Sequence, residues 1–510
     1  MAYFYIGGMR DQPLLLPVDM HDWLDEGHLA RFVIDVVERI DTSGLHARHP
    51  NDGVGRPAYD PDMMLSLLLY AYATSQRSSR RIEAACRTDA AYRFITGNVV
   101  PDHATIARFV VHHEQAIAGL FTQVLMLCVD AELIDTSVVA IDGTKRGSDA
   151  ALDRNMTLGW VREQVDHLLT EIRDTDRDED HTAGQAGLFD LETVAAKVAT
   201  RSQRLARLEA AVTEAQRQQT AIDTQARASQ TQAFDAAAQG RKLTGRKPQQ
   251  PAAAHHRAQA EQIATHNKAT RDARARLEGN HHGPDLDQAV TAAVATDPKV
   301  LAAQAATASA ALAARKAADT AKINITDPDS RIMKAATGWI QGYNLQAATD
   351  RNQFIIGHLV SQERNDVDLY QPMVHTTLQQ LNHAMPGAHI GMVVADAGYW
   401  SETNATAPGP DRLLATLKDH KQRRAARELG ATTGDPPTDA SALDAMEHRL
   451  RTPEGTATSA LRCHLVEPIF CFKTNHGYQR FKRRGLDAAR SEWALIATVH
   501  NLTKLHRHTR

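Results

Sequence analysis

The chain has 510 residues, 43% of them hydrophobic and 23% charged, with aromatics at only 5% and a formal net charge of −3. That length allows two to four domains with a sizeable core and excludes a small disulfide-stapled scaffold. The near-neutral total excludes a surface coated throughout in cation, so any nucleic-acid binding rests on local clusters.

Residues 1–135 read as helical. Asp60-Pro61 makes a helix start, because Asp caps free amides and Pro fits the first turn; Met64, Leu67, Leu68 and Ala71 follow at helical spacing. A second helix is expected through Ile82, Ala85 and Cys86. A third starts from Pro101-Asp102 and carries Ile106, Phe109, Val110 and His113 at i, i+3, i+4 and i+7. Arg77, Arg80, Arg81, Arg87 and Arg93 crowd this region. Short helices bearing arginines suit a helix-turn-helix-like DNA reader, and a helical bundle with solvated arginines explains them equally well.

Val138 to Ile141 is a run of buried-strand type and stops on Asp142. From about Asp153 to Thr320 the sheet pattern is absent, and the chain is rich in Ala, Gln, Arg and Thr. Leu191, Val194, Val198, Leu205, Leu208, Val212 and Ile222 follow an alternating 3/4 spacing, a heptad seam adequate for a helical hairpin or coiled coil. Arg241 to Pro251 reads as a turn, Ala252 to Leu277 as the returning helix and Asn280 to Pro284 as a loop. Strand signals resume at Tyr343 to Ala348 and Gln353 to Val360. Asp366 to Leu381 follows as a helix, Ile390 to Ala395 as a strand stopping on Asp396, and Leu413 to Leu417 as a further strand. Gly430 to Asp439 reads as a loop, and Ala460 to His506 as mainly helical. From Lys473 to Arg510 nine Lys/Arg face two acids, Asp487 and Glu492.

Cys86, Cys128, Cys463 and Cys471 are dispersed and form no C-x-x-C pair, which fits reduced thiols. Cys463, His464, Cys471 and His476 lie close in sequence but lack the tight paired spacing of a zinc site. Met1 to Tyr5 does not open a signal peptide, and no stretch reaches the length of a membrane span, so a soluble, cytoplasmic protein is expected.

Asp142 and Asp396 close apolar strands, and Glu467 precedes Pro468, which places it at a helix start or kink. Open α/β sheets carry their chemistry at such strand ends. Phosphodiester cleavage needs an activated nucleophile and neutralised charge at the phosphate and leaving oxygen, and two Mg²⁺ ions held by a few carboxylates supply both. Gly143-Thr144-Lys145 and Ala397-Gly398-Tyr399 add small residues that let a phosphate backbone approach. Read singly, each aspartate is also an ordinary turn residue after a strand.

Taken in order, the blocks resemble bacterial insertion-sequence DDE transposases. Gly55 to Pro61, Arg77 to Glu83 and Pro101 to Phe109 are similar to the helical N-terminal domain of one such group. Asp142-Gly143-Thr144-Lys145, Ala395-Asp396-Ala397-Gly398-Tyr399 and Val466-Glu467-Pro468-Ile469-Phe470 resemble its two aspartate motifs and its glutamate motif. Arg483 to Leu486, Ser491-Glu492-Trp493 and His500 to Leu505 resemble its closing helix.

The resemblance implies an α/β fold in three parts: a helical DNA-binding domain over 1–135, an RNase-H-like mixed-sheet catalytic core over 136–152 and 321–510, and a coiled-coil-like helical insertion over 153–320. It implies that Asp142, Asp396 and Glu467 bind two Mg²⁺ (or Mn²⁺) ions, cleave DNA at the element's ends and drive strand transfer into a target. Arg77, Arg80, Arg81, Arg108, Lys145, Arg462, Lys473, Arg483 and Arg484 are the expected DNA contacts, and a homo-oligomer is expected in the synaptic complex. Glu492 rivals Glu467 for the third position and reads as a structural acid paired with nearby arginines. The chain departs from the family pattern twice. Ser459 stands where a tyrosine is usual, and the Glu467–Lys473 segment is one residue short, which turns Lys473 by about 100° on a helix. An inactive DNA-binding relic and a metal-dependent nuclease without strand transfer are the alternatives.

Overall fold

The computed structural model describes residues 19–47, 58–182, 191–239, 250–417, 430–470 and 477–509. They divide into two compact units, 1–149 with 330–510, and 150–329.

The first unit opens with helices α1 (Leu29–Arg39), α2 (Pro61–Ala73), α3 (Ser79–Thr88), α4 (Ala90–Ile95), α5 (His103–His112) and α6 (Glu114–Asp130). Aspartates start three of them, Asp60 and Asp102 as expected and Asp89 in addition: Asp60 accepts from Met63 N at 3.0 Å, Asp89 from Ala91 N at 2.9 Å and Asp102 from Thr105 N at 3.0 Å. α2 is buried almost all round (Leu65, Leu67, Leu68, Leu69 and Ala71 are all inside), so it is a core helix rather than a surface one.

Six strands follow: β1 (Val138–Gly147), β2 (Arg331–Ala335), β3 (Gly338–Thr349), β4 (Ile355–Ser361), β5 (Met392–Ala395) and β6 (Asp411–Leu414). The long β3 runs antiparallel to β1, from Ala140↔Thr349 to Gly147↔Gly342. Its other edge is shared by β2 and β4, both antiparallel to it. On the far side of β1, β5 and β6 run parallel to it in turn. The result is a mixed α/β fold. β1 extends past Asp142 to Gly147, so Asp142 lies inside a strand rather than at its end; β3 supplies the antiparallel partner that continues it. β2 was not visible in the sequence, because Arg331 to Ala335 has neither a long apolar run nor clean alternation.

Side-chain alternation gives the sheet two apolar faces. Val139, Ile141, Val393 and Ala395 pack on one side in the large core with α6, α12 (Tyr370–Ala384) and α15 (Leu486–His508). Ala140, Val394 and Leu413 pack on the other with Met446 of α13 (Ala442–Arg451) and with Leu465 and Val466 at the end of α14 (Pro453–Leu465). α15 is buried along most of its length and docks on β4 through Asn501, whose Oδ1 accepts from Ile355 N at 2.9 Å while Nδ2 donates to Ile355 O at 2.8 Å. The segment before α15, Gly477 to Gly485, is not helical; both glycines have positive φ, a conformation an L side chain rarely takes.

The second unit holds α7 (Leu158–Thr182), α8 (Leu191–Ala238), α9 (Pro251–Leu277), α10 (Pro284–Ala295) and α11 (Pro298–Asp319), with a two-stranded ladder of Asn155–Thr157 and Lys322–Asn324. Leu205, Leu208 and Val212 of the expected seam pack on Leu158, Val161 and Leu168 of α7. The side chains of Leu191, Val194 and Val198 lie outside the described ones, as does most of the turn expected over 241–251. α10 and α11 are additions to the expected hairpin. They are alanine-rich helices with strong propensity and little periodic apolar signal. No helix among the described residues is long and apolar enough to cross a membrane.

Candidate active site

The parallel register of β1 and β5 ends at Ile141↔Ala395, so the next residues on the two strands are Asp142 and Asp396. Both continue the alternation of Ala140 and Val394, which sends them toward the α14 side of the sheet. Arg462, in the last turn of α14, meets them there: its Nη1 donates to Asp142 Oδ2 at 2.9 Å and its Nη2 to Glu467 Oε1 at 3.1 Å. α14 breaks at Val466, and Glu467 opens a single helical turn, Glu467–Phe470, as Pro468 demands. Three carboxylates from three distant segments thus share one arginine's neighbourhood.

Burial pushes the Asp142 carboxyl up to about 6; Arg462 and the Gly143 amide at 2.7 Å pull it back, and the charges of Asp396 and Asp366 raise it again. Asp396 accepts from Gly398 N at 2.8 Å. Asp366 opens the segment Asp366 to Leu381 that the sequence reads as a helix, and it lies just before α12. It belongs to this cluster: Oδ1 accepts from Lys145 Nζ at 2.7 Å, Asn344 Nδ2 at 2.8 Å and Gln346 Nε2 at 3.1 Å. The phenol of Tyr399 donates to Gln346 Oε1. Burial, then the charges of Asp366, Asp142 and Asp396, holds that phenol well above its usual range, so it stays a donor.

Hard carboxylate oxygens and partial burial suit a divalent cation such as Mg²⁺. Two glycines let the polar side chains of the cluster close on the backbone. A Cβ on Gly143 would stand 2.1 Å from Gln346 Nε2 and 3.0 Å from Asp366 Oδ1, and one on Gly398 2.8 Å from Asp396 Oδ1. The oxygens of Asp142, Asp396 and Glu467 do not meet at one point as they stand, since the Arg462 guanidinium lies between Asp142 and Glu467. Among the described residues, the one trio of ligand atoms mutually within 4.8 Å is His46, Asp60 and Asp62. Two of these are already engaged, Asp60 as the α2 cap and Asp62 with His46 at 3.1 Å. A cavity of about 780 Å³ opens beside Asp396, Gly398, Ser459 and Arg462.

The expected DNA contacts separate. Arg80, Arg81 and Arg108 are exposed on α3 and α5. Lys145 and Arg462 lie in the carboxylate cluster. Arg483 pairs with Glu114 at 2.8 Å, and the half-exposed Arg484 with Asp149 at 3.1 Å. Lys473 lies outside the described residues, as do Cys471 and His476. Arg77 is a correction. Its guanidinium is buried, donating to Glu492 Oε1 at 2.9 Å, Arg480 O at 3.0 Å and Gly477 O at 2.7 Å, and it lies over the Tyr478 ring at 4.4 Å. Glu492 is equally buried, holds Arg146 at 3.7 Å and accepts from Lys482 N at 2.9 Å, so it sits inside the fold with its arginines.

A family model for a transposase domain (DUF772) matches residues 18–111, and one for a transposase DDE domain matches residues 404–506. The second match contains Glu467 and Glu492 and begins after Asp396. No curated protein and no solved structure matches the chain.

Proposed function

We propose, from the premise that a chain with these two domains belongs to the insertion-sequence DDE transposases, that Asp142, Asp396 and Glu467 are its catalytic carboxylates. On this reading the sheet is an RNase-H-like core, supported by its pairing: β4, β3 and β1 in antiparallel succession, then β5 and β6 parallel to β1. The observation that carries the assignment is the register ending at Ile141↔Ala395, which sets Asp142 beside Asp396 on the face where Arg462 binds both Asp142 and Glu467.

Two divalent ions, Mg²⁺ or Mn²⁺, held by these carboxylates, would activate the attacking oxygen and neutralise charge on the leaving one. The chain's own groups do the rest. Lys145 and Arg462 lie at the carboxylates, where a phosphate backbone would need cations. Gly143 and Gly398 let Gln346, Asp366 and Asp396 pack close against the backbone at the centre. Arg80, Arg81 and Arg108 on α3 and α5, with Arg483 and Arg484 before α15, offer the phosphate contacts that hold DNA. The substrate is DNA bearing the element's ends, joined to a target by strand transfer, and synapsis of two ends calls for more than one copy of the chain.

The test is cleavage of DNA carrying the element's ends in Mg²⁺ or Mn²⁺. Wild type should nick and join. Asp142→Asn and Asp396→Asn should lose several kcal/mol of transition-state stabilisation, about a thousandfold in rate, while still binding the DNA. Cleavage that survives in both variants overturns the assignment. Cleavage without joining marks a nuclease, and end binding without cleavage a silent relic.

A further inference from the structure

Gln346 lies on β3 between Leu345 and Ala347 of the apolar core, and its side chain is fully buried. A buried amide is costly unless its polar atoms are bonded. Here both ends are. Nε2 donates to Asn344 Oδ1 at 3.0 Å and to Asp366 Oδ1 at 3.1 Å, and Oε1 accepts the Tyr399 hydroxyl. Turning the amide over would set its oxygen against the Asp366 carboxylate, so its orientation is fixed.

That amide lies across β1. In the sheet β1 sits between β3 and β5, and Gln346 pairs with Gly143, the residue after Asp142. A Cβ on Gly143 would stand 2.1 Å from Gln346 Nε2, so the crossing needs the bare backbone that glycine leaves there. On the β5 side the amide meets Tyr399, which follows Asp396 and Gly398 and is itself fully buried. The segment from Asp396 to Tyr399 closes on itself: Tyr399 N donates to Asp396 O at 3.2 Å, and Gly398 N to Asp396 Oδ1 at 2.8 Å. A phenol held in place therefore holds the turn that carries Asp396. The ladder between β1 and β5 has already ended at Ile141↔Ala395, and beyond it Gln346 joins the two aspartate segments. Trp493 steadies the strand from α15, its Nε1 donating to Gln346 O at 3.0 Å.

Resting on the reading of Asp142 and Asp396 as catalytic carboxylates, we propose that Gln346 and Tyr399 are positioning residues for them. Gln346 Oε1 and the Tyr399 hydroxyl form one tie from β3 to the Asp396 turn, passing over Gly143, and that tie sets the spacing of the two aspartates. Neither side chain is exposed to meet DNA, so both act through the aspartates.

The experiment is single-turnover cleavage of DNA carrying the element's ends by the full chain in Mg²⁺, with DNA affinity and melting curves measured beside it. Tyr399→Phe removes the hydroxyl and keeps the ring; Gln346→Leu removes the amide and keeps the bulk. Each should slow cleavage by folded protein about a hundredfold, the effect of misplacing a reacting group by about 1 Å, with DNA affinity unchanged. The double variant should be no slower than the slower single one, since both remove the same tie. Asn501→Leu breaks an equally buried pair of bonds, between α15 and β4, and should lower the melting temperature with cleavage retained. If Tyr399→Phe and Gln346→Leu cleave as wild type does while Asp396→Asn does not, the proposal fails and the catalytic reading stands. If their losses multiply in the double variant, or show as weaker DNA binding at an unchanged rate, no shared tie sets the aspartates and the proposal fails likewise. If Asp396→Asn cleaves as wild type does, or wild type does not cleave, both readings fall.

Discussion

Two places in the first compact unit set arginine against carboxylate, and they are built for opposite ends. At Glu492 one buried acid is shut in between two arginines. Arg77 and Arg146 face one buried glutamate, the Lys482 amide takes its second oxygen, and the guanidinium groups lie over Tyr478 at 4.4 Å and Phe481 at 4.6 Å. Arg77 comes from the turn between α2 and α3, Arg146 from β1 and Glu492 from α15, so the cluster ties three parts of one unit together. At Arg462 the balance is open. One guanidinium spans Asp142 and Glu467 while Asp396 and Asp366 crowd the same space, and Glu467 is half exposed. A buried acid held between two arginines and a backbone amide is a structural device. A partly wet cluster with more acid than base invites a cation.

The contrast breaks most sharply on the two glutamates within the matched DDE domain. Glu467→Gln should lower DNA cleavage by about a thousandfold, the rate equivalent of several kcal/mol, with stability changed by less than about 0.5 kcal/mol. Glu492→Gln should do the reverse. It leaves Arg77 and Arg146 buried without their anion, a loss of about 3–5 kcal/mol, seen as a lower denaturant midpoint with cleavage per folded molecule retained. If Glu492→Gln abolished cleavage in folded protein, the two roles would have to be exchanged.

A smaller effect tests the core that supports both clusters. The His358 ring packs edge-on against Phe121 at 4.4 Å, and burial lowers its pKa to about 4 from the usual 6.5. Below pH 6.5 the unfolded chain gains a proton that the folded chain refuses, so stability is full above that pH and falls as pH drops toward 4. His358→Phe should flatten that slope by on the order of 1 kcal/mol, read from denaturant midpoints at pH 7 and pH 5. A slope unchanged by the substitution would place the sensitivity elsewhere. The smallest change is expected on the outer surface. Arg81→Ala removes an exposed cation on α3 and should weaken DNA binding evenly across sequences, reducing the salt slope by about 1. A buried arginine such as Arg77 cannot act in this way without first losing its structural partners.

Much of this was written in local pattern. The caps at Asp60 and Asp102, the strands through Ile141 and Ala395, and the break of the helix at Pro468 follow from backbone chemistry that neighbours in sequence settle. So does the presence of Asp142 and Asp396 directly after β-branched and small apolar runs. What the sequence by itself could not decide is which side chains meet across the fold. Asp366 looked like one more helix-starting aspartate, and Arg77 like one more surface arginine, because charge and spacing carry no record of burial. The register of β1 against β5 and β3 decided both. It brought Asp366 to Lys145, Asn344 and Gln346, and it aligned Arg146 so that Glu492 collects two arginines. Local propensity is a property of consecutive residues; the charge balance of a site depends on long-range pairing, and only the tertiary structure supplies that.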